Sequence, residues 1–201
     1  YGLTGTLNMA DLARRVTEVP PGDAGLMRAA GLLLTVVFAL KAAAVPLHLW
    51  LPRTYSATMP VVAALFAIMT KVGVYALIRV VPLIFGAGAG AAAWVPSPWL
   101  FPAALLTAAL GFAGVLAARG LREQAAFAVM GSTGTVMLVL SDWTPVTTAA
   151  AIYYLMHSTF AGAALFLVAD VTLRLRGQYG EAAVAAPRFA GQQATGFLFL
   201  A

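Results

Sequence analysis

KAAAVPLHLWLPRTYSATMPVVAALFAIMTKVGVYAL, residues 41 to 77, decides how this chain folds. It sets two lysines, Lys41 and Lys71, in strongly apolar sequence, and Pro46 follows the first of them closely. Residues 60 to 85 read as one uninterrupted apolar helix with Lys71 near its middle. At about 1.5 Å of rise per residue, that lysine lies roughly 16 Å from the nearer helix end, too far for its amine to reach the membrane surface by snorkelling.

Further stretches of the same kind lie on both sides of this block. Spanning helices, each about 20 mainly apolar residues, are predicted at 25–51, 60–85, 99–118, 124–141 and 146–173, with a sixth from 192 onward. Lipid offers no partner to unpaired backbone groups, and no segment alternates with period two as a barrel strand does, so the class is an all-α integral membrane bundle. Composition agrees: 62% of the 201 residues are hydrophobic and 9% charged, which excludes an ordinary soluble domain. Cysteine is absent, so the sequence provides no disulfide, thiolate cluster or cysteine-bound zinc. No cofactor or metal site is expected, and no enzymatic redox or hydrolytic centre.

Residues 1–24 read as the end of a preceding helix and a surface segment closed by Pro20, Pro21 and Gly22. The Gly- and Pro-rich stretch 86–98 is the expected boundary between 25–85 and 99–201. Residue 1 is not methionine and the chain stops at FLFLA within an apolar stretch, so an internal segment of a longer protein is expected.

The net charge of +5 comes from arginines in loops and near helix ends, a pattern that reports membrane orientation rather than a nucleic-acid partner. Arg53, Arg119, Arg122, Arg174, Arg176 and Arg188 follow the first, third and fifth spans, and the rule for basic loops places them on the cytoplasmic side. Arg14, Arg15 and Arg28 stand on the other side, and 86–98 carries no basic residue.

Permanent charge is thus kept at the ends, while both lysines are internal. Arginine holds its proton in proteins; a lysine in low-dielectric surroundings can release one. Charges within spans are costly and usually mark ion or substrate routes, although a structural ion pair would also account for them. The carboxylates sit elsewhere: Asp170 is placed for a local pair with Arg174, and Glu123 and Asp142 lie in loops or at helix ends. Pro46 lacks an N–H and its ring displaces the carbonyl of residue 42, so the first span is expected to break just beyond Lys41. A broken helix beside a charge is a common construction of transporter ion sites.

TGTLNMADLA (4–13), the 41–77 block and REQAAFAVMGSTG (122–134) closely resemble the antiporter-like subunits shared by Mrp-type multisubunit cation/proton antiporters and respiratory complex I. LNMADL and ALFAIMTKVGVYAL are most similar to the D-type subunits of the Mrp systems. The resemblance implies two inverted five-helix repeats with broken helices, joined near 86–98. It also implies that Lys41 matches the lysine of the first broken helix and Lys71 that of the next helix, with the partner glutamate before residue 1. His157 matches a histidine of the central polar axis, for which relay and structural roles both remain open. His48 stands where the family often has histidine or an aromatic, and packing at the helix end competes there with proton relay. Gly162 departs from a lysine common among relatives, and Ala128 and Ser132 depart from histidine and glutamine. A thinner relay is therefore expected, with water held by His157, Ser132, Thr133 and Thr135.

The expected function is proton translocation in a bacterial Na⁺/H⁺ or K⁺/H⁺ antiporter, with protons moving from Lys41 to Lys71 and on toward His157. Expected partners are other antiporter subunits, the lipid bilayer, protons and Na⁺ or K⁺, with no nucleic acid. A complex I pump subunit, a Schiff-base lysine protein and a scaffold with vestigial lysines are the alternatives.

Overall fold

The computed structural model describes residues 1–176; Arg188 and the span expected from 192 lie outside the described residues. The described residues form seven α-helices and no strand: α1 (Met9–Arg15), α2 (Ala24–Lys41), α3 (Trp50–Ala57), α4 (Pro60–Phe85), α5 (Ser97–Ala117), α6 (Leu121–Leu140) and α7 (Pro145–Arg176). Among the described residues, five helical segments are long and apolar enough to cross a membrane: Pro21–Lys41, Pro60–Phe85, Gly90–Ala117, Leu121–Leu140 and Pro145–Arg176.

Helix starts follow local chemistry. Asn8 caps α1 by accepting from the Ala10 amide at 3.0 Å. Pro60 opens α4 at a position where its missing N–H has no intrahelical partner to lose. Thr144 and Thr147 cap α7 reciprocally, each hydroxyl accepting from the other's amide at 3.1 and 3.0 Å. Before α1, the Gly5 amide bonds back to the Tyr1 carbonyl at 2.6 Å with Gly5 at φ +68°. That left-handed turn is the geometry with which many helices end.

The α4 and α6 spans are the most buried of the five and α2 the least. Between α5 and α6 the packing is backbone to backbone. A β-carbon on Gly111 would overlap Gly131, and one on Gly134 would stand 2.8 Å from the Thr107 carbonyl carbon. Small residues let helices approach this closely where the lipid itself gives no hydrophobic driving force. Leu33, Val37, Leu65, Val72, Phe101, Leu105 and Phe160 are exposed on α2, α4, α5 and α7, an apolar surface that suits lipid.

One hydrogen bond relates the helix ends. Arg122 donates to the Thr58 carbonyl at 3.4 Å, joining the loop after α3 to the start of α6. At the other ends of α4 and α6, the Trp94 and Trp143 rings meet at 5.5 Å, so 86–98 shares a face with the α6–α7 turn.

The first span differs from a continuous 25–51 helix. It stops at Lys41, resumes at Trp50 and runs on to Ala57, past Pro52. Pro52 is tolerated because it sits in the first turn of α3, where amides have no intrahelical acceptor.

Candidate functional site

The interruption between α2 and α3 provides nearly all of its own hydrogen bonds. Ala43 takes a left-handed conformation with φ 53°, its amide bonds to Leu40 O at 3.1 Å, and the Ala44 amide reaches Ala39 O at 2.9 Å. This is the Schellman closure of a helix C-terminus. Alanine in place of glycine there costs about 1–2 kcal/mol, and full burial of residues 42 to 44 holds it in place. Trp50 Nε1 adds a bond to Leu40 O at 3.2 Å.

One group is satisfied from a distant element. The Val45 amide donates to Thr107 Oγ1 on α5 at 2.9 Å, and that hydroxyl donates to Ala103 O at 2.6 Å. Thr107 is completely buried. Val45–Pro46 is a cis peptide bond. The break is therefore closed by protein, the condition under which irregular backbone persists at membrane depth.

Lys41 is the last residue of α2, where the partial negative charge of the helix C-terminus faces its ammonium. It is exposed among the described residues. A cavity of about 190 Å³ is lined by Lys41, Thr54, Tyr55, Phe66, Met69 and Thr70, among others. A water takes about 30 Å³ in the liquid, so the volume is large enough for several, although the wall it presents is apolar. Tyr55 and Thr70 share a hydroxyl–hydroxyl hydrogen bond, and both hydroxyls also reach the Phe66 carbonyl.

Lys71 is 3% exposed. Its Nζ donates to Ser132 Oγ at 2.6 Å and to Thr133 Oγ1 at 3.2 Å, both on α6. Those two hydroxyls each donate to the Val129 carbonyl at 2.8 Å, so they are oriented to accept from the ammonium. The buried amine is held by neutral oxygen. Two residues further along α4, Gly73 lies against the break itself: a β-carbon there would stand 2.6 Å from the Ala42 nitrogen and 2.9 Å from the Phe38 carbonyl oxygen.

The remaining expected residues are placed apart. His157 is on an exposed face of α7, its ring stacked on Tyr154 with centroids 6.2 Å apart. Thr135 donates to Gly131 O at 3.1 Å along its own helix. His48 is half-buried, and its Nδ1 has no hydrogen-bond partner among the described residues. It lines a second pocket, of about 300 Å³, with Arg53, Ser56, Glu123 and Phe127 at the arginine-bearing end. Asp170 pairs with Arg174 at 3.0 Å, as the four-residue spacing predicts.

Thr107, Tyr55, Thr70 and Gly73 are not singled out by sequence reading. Thr70 has a signal, since it precedes Lys71 within the same apolar helix. Gly73 has a weaker one, as a small residue near a buried charge. Nothing local marks Thr107, because its partner lies 62 residues away.

A multi-span helical bundle with one interrupted helix and a lysine buried beside it is a membrane architecture built around charge at depth. The chain belongs to the family described as NADH:quinone oxidoreductase/Mrp antiporter, transmembrane, whose model matches residues 1–182. The D-type subunit of a probable K⁺/H⁺ antiporter from Rhizobium meliloti (strain 1021) is 39% identical over 176 residues, covering 88% of this chain and 33% of that protein. Its counterpart in a Na⁺/H⁺ antiporter of Bacillus subtilis (strain 168) is 37% identical over 178 residues, covering 88% of this chain and 35% of its own length. Among solved structures, the Mrp complex from Dietzia sp. DQ12-45-1b contains a chain matching with a TM-score of 0.69 and 29% identity, over 90% of this chain and 32% of that one. The chain thus spans about a third of the length of the relatives it matches.

Proposed function

We propose that this chain is part of a proton-translocating subunit of a bacterial Mrp-type Na⁺/H⁺ or K⁺/H⁺ antiporter, working in the cytoplasmic membrane with other subunits of that complex. The observation that carries this reading is the ammonium of Lys71, buried near mid-span on two hydroxyls with no carboxylate partner among the described residues. A permanently paired lysine would be locked by its partner's charge. One held by neutral oxygens can give up its proton without leaving a buried anion behind.

Protons reach Lys41 at the interrupted helix and pass by water to Lys71. Like charges at the two lysines oppose each other, so protonation of one favours release from the other. Ser132 and Thr133 hold the Lys71 amine between transfers. Onward transfer to His157 needs an element covering the exposed face of α7, whether more of this protein or a neighbouring subunit. Residues 25–85 end the first inverted repeat, 86–98 link the repeats, and 99–201 begin the second. Transport is the activity; no redox or hydrolytic chemistry is assigned to this chain.

The direct test replaces Lys71 by alanine in the full-length protein within its complex and follows pH-gradient collapse in everted vesicles on adding Na⁺ or K⁺. Loss of exchange with the complex assembled is the expected result. Exchange at the unmodified rate would end the proposal.

A further inference from the structure

The backbone at Lys41 and the side chain of Lys71 are joined by a closed circuit of contacts. From Lys41 the chain passes through Ala42 to Val45, whose amide is bonded to Thr107 at 2.9 Å. The Thr107 backbone lies against Gly134 so closely that a β-carbon on the glycine would stand 2.8 Å from the Thr107 carbonyl carbon. Gly134 follows Thr133, which accepts from Lys71 Nζ at 3.2 Å. From Lys71 the circuit returns through Gly73, whose absent side chain brings α4 against the Ala42 nitrogen and the Lys41 carbonyl carbon.

Each link is main chain or a side chain fixed at both ends. Thr107, Gly134 and Thr133, through which the circuit crosses α5 and α6, are buried, as is Lys71. Close-packed interiors transmit displacement rather than absorb it. The interrupted segment beside Lys41 is thereby tied to Thr107, and through Gly134 to the hydroxyl that holds Lys71.

We propose that Thr107 is a positioning residue coupling the two lysines: its hydroxyl ties the break beside Lys41 to the α6 segment that holds Lys71. It touches neither amine, and it acts by fixing the distance over which the proton is passed. This inference rests on the relay reading above and adds to it the path along which one lysine senses the other.

The experiment uses the full-length protein in its assembled complex. Thr107→Val keeps the shape and leaves the Val45 amide without its acceptor, Thr107→Ala removes the hydroxyl without adding bulk, and Thr107→Ser keeps it. Exchange is measured in everted vesicles, normalised to assembled complex, as maximal rate and apparent KM for the cation. Expected are a maximal rate lowered on the order of tenfold or more by valine and alanine, an unchanged KM, and a serine variant restored to within about twofold. A wild-type maximal rate in either hydroxyl-free variant would overturn the proposal, as would a serine variant as impaired as valine. If valine and alanine both prevent assembly while serine assembles, the hydroxyl is purely structural and the proposal also falls. Lys71→Ala is measured alongside. Exchange surviving that change removes the relay reading itself, whereas exchange lost there but intact in Thr107→Val removes only the coupling.

Discussion

Gly73 is packed directly on Ala42: a β-carbon on the glycine would lie 2.6 Å from the alanine's backbone nitrogen. The neighbours are main-chain atoms of the interrupted helix, so no side-chain rotation can make room. Gly73→Ala is expected to force α2 and α4 apart and to cost about 1–3 kcal/mol of packing. Thermal melting of the purified complex measures this as a lowered transition. The same displacement separates Lys41 from Lys71, so exchange should fall further than the melting shift alone explains. An alanine variant with unaltered melting would show that the break yields more easily than its burial implies.

Tyr55 is 2% exposed, and its hydroxyl bonds to Thr70 and to the Phe66 carbonyl. Tyr55→Phe removes that hydroxyl, yet Thr70 keeps its own bond to Phe66 O at 3.2 Å. The stability cost should therefore be small, about 1 kcal/mol, against about 3–5 kcal/mol for Tyr55→Ala, which also empties a packed aromatic site. The phenylalanine variant also removes the hydroxyl pair with Thr70 beside the Lys41 cavity, and the relay reading expects slower exchange at nearly full stability. Calorimetry and vesicle exchange on the same preparation separate the two effects.

Much of this arrangement can be read from sequence because membrane spans are announced by length and apolarity, which need no partner to interpret. The lysines stand out for the same reason: a charge within an apolar run is visible without knowing what surrounds it. Pro46 signals the break, although the helix ends at Lys41 itself, because the Schellman closure at Ala43 acts before the proline does. What escapes is pairwise. The hydroxyl of Thr107 is one polar group in PAALLTAALGF until α5 is laid against the break. His157 is legible as an ionisable group at depth, but which way it faces on α7 is not, since the helix has apolar residues all round.

The two ends of the bundle give a topological prediction. Arg53 lies in α3, just before Thr58, whose carbonyl receives Arg122, so Arg53 and Arg119 share a face. The Trp94–Trp143 pair defines the opposite one. These 201 residues contain no cysteine, so single cysteines at Arg53, Arg119 and Gly88 can be introduced into a full-length protein cleared of any others. A membrane-impermeant thiol reagent applied to intact cells should reach position 88 and spare 53 and 119 until the cells are opened. Labelling in the reverse order would invert the orientation assigned from the basic loops.

Lys71 yields the sharpest prediction, because the physics of stability and the physics of transport point in opposite directions there. Its ammonium is desolvated, and its partners are two hydroxyls that already donate to the Val129 carbonyl. Lys71→Met fills nearly the same volume with an apolar chain. It removes a buried charge and leaves no buried carboxylate unpaired among the described residues, while Ser132 and Thr133 keep their bonds along α6. The complex should melt no lower than wild type, and removing the desolvated charge should raise its stability by about 1–3 kcal/mol. Exchange should nevertheless disappear, since methionine carries no proton. Lys71→Arg keeps the charge but cannot release it, and it should also fail to exchange. A lysine that served only to hold α4 to α6 predicts the reverse for methionine, a lower melting transition with exchange retained in whatever complex survives. Melting and exchange measured on the same methionine variant decide between the two.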